Sequence, residues 1–81
     1  MRLKVKLFAK ARDLAGSPVA LMELPEGATV GRLRDALSGA IPALASLLAR
    51  STVAVDGEHA ADHVVLTAAS EVAVLPPVSG G

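Results

Sequence analysis

Cysteine is absent from the 81 residues, so the chain carries no disulfide, no thiolate metal ligand and no thiol nucleophile or persulfide of its own. A domain this small without disulfides fits a cytoplasmic setting. Tryptophan and tyrosine are missing too, and Phe8 is the single aromatic residue, which leaves no stacking platform for single-stranded nucleic acid. An excess of one charge sign is also lacking. Eight basic residues against 8 acidic ones give a net charge of zero, where a nucleic-acid binder shows a basic surplus. No apolar run approaches the roughly 20 residues of a membrane span. The longest, 40–49, contains Pro42 and Ser46, and at the N-terminus Arg2, Lys4 and Lys6 interrupt any signal-peptide core. Neither a nucleic-acid nor a membrane partner is expected.

What is present suffices for one folded domain. Hydrophobic residues make up 52%, too many for a disordered chain. Sixteen of them are alanines, which fill little volume, and a domain of this length buries only about 60% of its unfolded surface. The core is therefore small.

Residues 2–9 alternate strictly, which predicts a strand with Leu3, Val5 and Leu7 inward and Arg2, Lys4, Lys6 and Phe8 outward. Residues 10–15 suit a helical turn stopped by Gly16. After the Ser17-Pro18 break, 19–24 reads as a second strand, followed by a turn at 25–27. Thr29 is the predicted N-cap of a helix whose apolar stripe is Val30, Leu33 and Leu37, with Gly39 just past its end. Pro42 opens a second short helix with Leu44, Leu47 and Leu48 on its apolar face. Val53 and Val55 mark a third strand before an Asp56-Gly57 tight turn, and two further strands are predicted at 63–66 and 71–75. A helix between strands demands a crossover, so one ladder of the sheet is expected to be parallel. The expected fold is α+β, a ubiquitin-like β-grasp. In it a small mixed sheet carries one main helix on one face over 1–75, and a flexible C-terminal tail follows at 76–81.

Conventional catalytic motifs are missing. There is no GxxxxGK[ST] loop and no GxGxxG after a strand. The carboxylates are scattered through turns and strand ends, where solvated surface charge accounts for them. His59 and His63 stand four apart but follow a turn rather than lie on a helix, and no third ligand accompanies them, so no metal site is expected. Charge is uneven along the chain. The first twelve residues hold five of the basic side chains and no acid; the last thirty-one hold four acids and no base. Either these charges neutralise one another across neighbouring strands or they form a docking patch.

The C-terminus is the informative segment. After the last strand, Pro76-Pro77 enforces an extended departure, and Val78, Ser79, Gly80 and Gly81 follow. Six residues span up to about 20 Å. Glycine has no Cβ, so such a tail threads a narrow channel and lets catalytic groups of another protein approach its last carbonyl. The reactive group is then the α-carboxylate of Gly81, which needs activation before a nucleophile can attack it, and adenylation by ATP is the usual means. Ordering a tail costs entropy on binding, so the globular body must supply the affinity. Strand parity adds a docking surface. Phe8 lies outward with Lys4 and Lys6, and Leu75 lies outward from the last strand immediately before the tail. If the two strands are neighbours, Phe8 and Leu75 form one apolar patch at the tail root. The alternative is that Phe8 folds over the sheet edge and completes the core.

KLFAKARDLAG at 6–16, ELPEGATVGRLRDAL at 23–37 and, above all, EVAVLPPVSGG at 71–81 resemble the MoaD family, the small sulfur-carrier subunits of molybdopterin synthase. Two places depart from that pattern: Asp56 stands where asparagine is commoner, and Ala68-Ala69-Ser70 replaces a Gly-Asp turn. The resemblance implies a cycle. An E1-like enzyme adenylates Gly81 with ATP, and a sulfur donor converts the carboxylate to a thiocarboxylate. The tail, Pro76, Pro77, Val78, Ser79, Gly80 and Gly81, then enters the active site of the large synthase subunit in a heterotetramer and gives its sulfur to cyclic pyranopterin monophosphate. The chain itself would be non-catalytic and hold no permanent cofactor. The alternatives are a sulfur carrier for tRNA thiolation or thiamine synthesis, a ubiquitin-like modifier joined to lysines through Gly81, and a binding module whose tail has no role.

Overall fold

A computed structural model describes residues 1–77. The tail positions Val78, Ser79, Gly80 and Gly81 lie outside the described residues.

The alternation of the first segment builds β1 (Arg2–Leu7), with Leu3, Val5 and Leu7 buried and the basic residues exposed. A short helix α1 (Ala9–Ala15) follows and ends at Gly16, whose left-handed backbone (φ 72°) turns its N–H onto the Arg12 carbonyl. β2 (Val19–Glu23) returns antiparallel to β1. Thr29 caps α2 (Val30–Ala40), its hydroxyl accepting the Arg32 N–H at 3.2 Å. A 3₁₀ turn at Pro42–Leu44 and α3 (Ala45–Leu48) bring the chain to β3 (Thr52–Val55). Asp56 and Gly57, both at positive φ, turn it into β4 (Glu58–Ala60), and β5 (Val72–Leu75) closes the sheet.

Strand order is β2-β1-β5-β3-β4. The central β1/β5 ladder is parallel, as the crossover demanded, and every other pairing is antiparallel. One face of the sheet presents Leu3, Val5, Leu7, Val53, Val72 and Val74 to the α2 stripe of Val30, Leu33 and Leu37, with Leu44 and Leu48 completing the core. This is the expected β-grasp, and among the described residues the opposite sheet face carries no helix.

Three expectations need correction. Residues 63–66 are not a sheet strand. The Asp56-Gly57 turn returns the chain at once, so 58–60 takes the edge position. The later segment makes a single bridge, Thr29 to Val65, and straps the start of α2 through Val30 N–H to Val64 carbonyl (2.9 Å) and Leu66 N–H to Ala28 carbonyl (2.8 Å). Gly39 lies inside α2 rather than beyond it. The helix stops at Ile41 because a residue preceding proline avoids helical geometry, and Ile41 sits at φ −130°, ψ 82°. Finally, β1 ends at Leu7, and Phe8 is the extended N-cap of α1 (φ −119°, ψ 155°).

One side chain ties the helical layer together. Arg34 donates from Nε to Asp62 Oδ1 (2.8 Å) and from Nη1 to the Leu48 (2.6 Å) and Ser51 (2.8 Å) carbonyls. It thereby joins α2, the end of α3 and the 61–66 strap. Gly31 lets that strap come close. Its N–H meets the Asp62 carbonyl at 2.9 Å, and a Cβ there would sit 3.2 Å from the Asp62 Cβ.

Candidate functional site

The helix-free face of the sheet is assembled by register. Val19, Lys6, Ala73, Ala54 and His59 form one row across all five strands. Leu7 pairs with Val74 as the last pair of the parallel ladder, so Phe8 and Leu75 both follow at the same end of the sheet, with Thr52 paired to Leu75 beyond. Phe8 keeps extended backbone angles, so the alternation of β1 carries through it and its ring emerges on this outer face. Phe8 is 44% exposed and takes no part in the core, so the edge-folding alternative is not the one observed. Leu75 is half-buried, as is Pro76, while Pro77 is exposed. The tail root and the Phe8 ring therefore share one end of one face.

Two small residues shape the surface beside the ring. Ala54 and Ala73 occupy the outward positions at the middle of the sheet, where larger side chains would fill the face. Lys6, Phe8, Ala54, Gly57, Glu71 and Ala73 accordingly line a shallow apolar depression. Neither alanine stood out in the sequence, yet strand parity was the signal that marks both as outward. The chain must hold an awkward backbone to put Phe8 there. Ala9, the next residue, sits at φ 50°, in the left-handed region that a residue with a Cβ enters at a cost of roughly 1–2 kcal/mol. Asp56 shares that strain (φ 52°) but recovers contacts: its N–H reaches the Glu71 carbonyl (2.8 Å) and its Oδ1 accepts the Glu71 N–H (2.9 Å), fixing where β5 begins.

The two histidines do not converge on a site. His59 lies on edge strand β4 and His63 in the strap, both exposed. The described residues contain no group of three or more histidine, cysteine, aspartate or glutamate side chains placed to hold a metal. Nor is any helix among them long and apolar enough to cross a membrane. Across-sheet neutralisation of the uneven charge is also slight. Among the described residues the ion pairs are Arg2–Glu23 at 3.5 Å, exposed on both sides, and Arg34–Asp62 in the helical layer.

Residues 5–81 match the model of the ThiS family, which is nearly the whole chain, tail included. The chain belongs to the ThiS family. Within that family it is 33% identical over 81 residues to the molybdopterin synthase sulfur carrier subunit of Arabidopsis thaliana, covering 100% of this chain and 84% of that protein. It is 42% identical over 84 residues to small archaeal modifier protein 1 of Haloferax volcanii, covering 94% of this chain and 97% of the relative. The crystal structure of that Haloferax protein superimposes with a TM-score of 0.88 at 37% identity, over 100% of both chains. The resemblance to MoaD-type carriers and the β-grasp fold are thus borne out.

Proposed function

We propose that this ThiS-family chain is a sulfur carrier of molybdenum cofactor biosynthesis, a non-catalytic subunit that works through its C-terminal tail. The observation that carries the reading is the shared end of the sheet. β5 delivers Pro76 and Pro77 from the end of the sheet where Phe8 and Leu75 stand, so a protein gripping that end holds the root of the tail it must process. An E1-like enzyme adenylates Gly81 with ATP, and sulfur from a donor then replaces one carboxyl oxygen as AMP leaves. The thiocarboxylate enters the large synthase subunit, in a heterotetramer, and passes its sulfur to cyclic pyranopterin monophosphate. Catalytic groups belong to the partners; this chain supplies the cargo, the reach and the grip. Sulfur rides on the terminus because the chain has no cysteine to carry it.

Deletion of Gly80-Gly81 tests this directly. Sulfur-for-oxygen exchange at the terminus, read by mass spectrometry of the protein from cells, disappears, while the unfolding temperature stays within about 1 °C because two glycines bring no side chain to bury. A deleted chain that still carries sulfur overturns the proposal.

The 42% identity to an archaeal protein named as a modifier supports a second reading, isopeptide attachment of Gly81 to lysines of other proteins. The same spectra separate the two. A terminal thiocarboxylate marks the carrier, and a Gly81–lysine branch marks the modifier.

A further inference from the structure

Away from the tail, the outer face changes character. Arg2, Lys4 and Lys6 project from it along β1, three cations over about 13 Å. Arg2 has only its solvent-exposed contact with Glu23, and among the described residues neither Lys4 nor Lys6 has a carboxylate within ion-pair distance. These cations form one wall of a cleft whose other wall, Ala68 and Ser70, is neutral. Ser70 is already engaged, its hydroxyl accepting the Thr67 N–H at 3.0 Å. Glu71 is the one acid lining the cleft. The cleft does not end there. Lys6, Glu71 and Val72 also line the depression beside Phe8, so one groove runs from Arg2 along β1 and β5 to Phe8.

We propose that this groove receives an extended segment of the partner protein, with carboxylates meeting Lys4 and Lys6 and an apolar side chain against Phe8. The charge decides the chemistry. A segment without acids would desolvate two ammonium groups and return nothing to them. Its straightness and its two-residue cation spacing match an extended strand, whose alternate side chains fall at the same interval. A nucleic-acid strand fits worse, because the groove offers one aromatic ring for base stacking. The inference rests on the carrier reading, which requires a partner that holds the body while the tail is processed. It adds how the body is found: opposite charges along the groove steer the encounter before Phe8 seats.

Association kinetics across a salt series test it, using the full chain with the activating enzyme and with the large synthase subunit. The double variant Lys4→Glu/Lys6→Glu changes two exposed side chains, and its unfolding curve verifies that the fold is kept. The expected result is association with at least one partner slowed roughly tenfold or more at low salt, with the difference from the unaltered chain shrinking as salt rises. A double variant that associates at the unaltered rate at every salt overturns the groove, while sulfur loading of the unaltered chain leaves the carrier reading standing. An unaltered chain that neither loads sulfur nor binds either partner overturns both. Lysine-dependent binding of a single-stranded oligonucleotide, with no salt-dependent protein association, assigns the groove to phosphate and overturns the protein segment.

Discussion

The two faces of the sheet are made from the same five strands and obey opposite rules. On the inner face, large aliphatic side chains from β1, β3 and β5 are sealed under α2, and each is held by neighbours on every side. On the outer face the middle is floored by two alanines, and among the side chains that project are one aromatic ring, a row of cations and Leu21, which is 66% exposed on edge strand β2. In a domain this small the inner face cannot give up volume without losing the fold. The outer face contributes little to stability, so its composition is free to serve a partner. Residues 7, 8 and 9 pass from one regime to the other in three steps, and each offers a way to test the contrast.

Leu7 should show the largest effect. It is 2% exposed and pairs in register with Val74 at the end of the parallel ladder. Leu7→Ala removes volume that the surroundings cannot refill, and about 2–5 kcal/mol of unfolding free energy should go with it. That is a large share of the roughly 4–12 kcal/mol expected for a chain of this length. Chemical denaturation measures it. A loss under about 1 kcal/mol would mean the inner face tolerates cavities and the contrast between faces is weaker than the packing implies.

Phe8 comes next, with its effect moved from folding to binding. Phe8→Ala should cost under about 1.5 kcal/mol of stability, since the ring is partly solvated already. It should weaken the complex with the large synthase subunit by at least about 1 kcal/mol, as aromatic anchors at interface centres do. Calorimetric titration reads the second number, and a folded variant with unchanged affinity removes Phe8 from the interface.

Much of this arrangement was legible in the sequence, and the exceptions have a common cause. Alternation in 2–7, the Thr29 cap and the Leu33/Leu37 stripe are local signals that the tertiary structure has no reason to overrule. Parity alone put Phe8 and Leu75 on the outer face, and the parallel register places both at the same end of the sheet. What local pattern missed was competition between segments. The apolar run 63–66 has strand composition, but 58–60 reaches the sheet edge first through a two-residue turn, so the later run becomes a strap on α2. Gly39 has the character of a helix stop, but Pro42 sets the end of α2 through Ile41. The Arg34 staple joins residues 14, 17 and 28 positions away, and no spacing rule reveals it. The continuity of the groove was equally hidden, because it depends on which loop lies beside β1.

Ala9 gives the smallest effect. Its positive φ is needed where β1 gives way to α1 without a loop, and the Phe8 carbonyl at that corner accepts N–H groups from Ala11 (3.0 Å) and Arg12 (3.4 Å). Glycine adopts the same angles without the Cβ clash but makes the unfolded chain more flexible, and these two terms nearly cancel. Ala9→Gly should therefore change stability by less than about 1 kcal/mol, in the stabilising direction if relief of strain dominates. The alanine does one thing glycine does not: it narrows the backbone angles open to the corner, and so the directions open to the ring before it. If that restraint presets Phe8 for its partner, Ala9→Gly weakens the complex by a few tenths of a kcal/mol, less than Phe8→Ala and in the same sense, through the ordering cost of a looser ring. Combining the two changes provides the decisive measurement. Once Phe8 is alanine, the glycine should have nothing left to misdirect, so the double variant should bind no more weakly than Phe8→Ala alone. Additive losses would show that Ala9 acts on the partner by some route other than the ring.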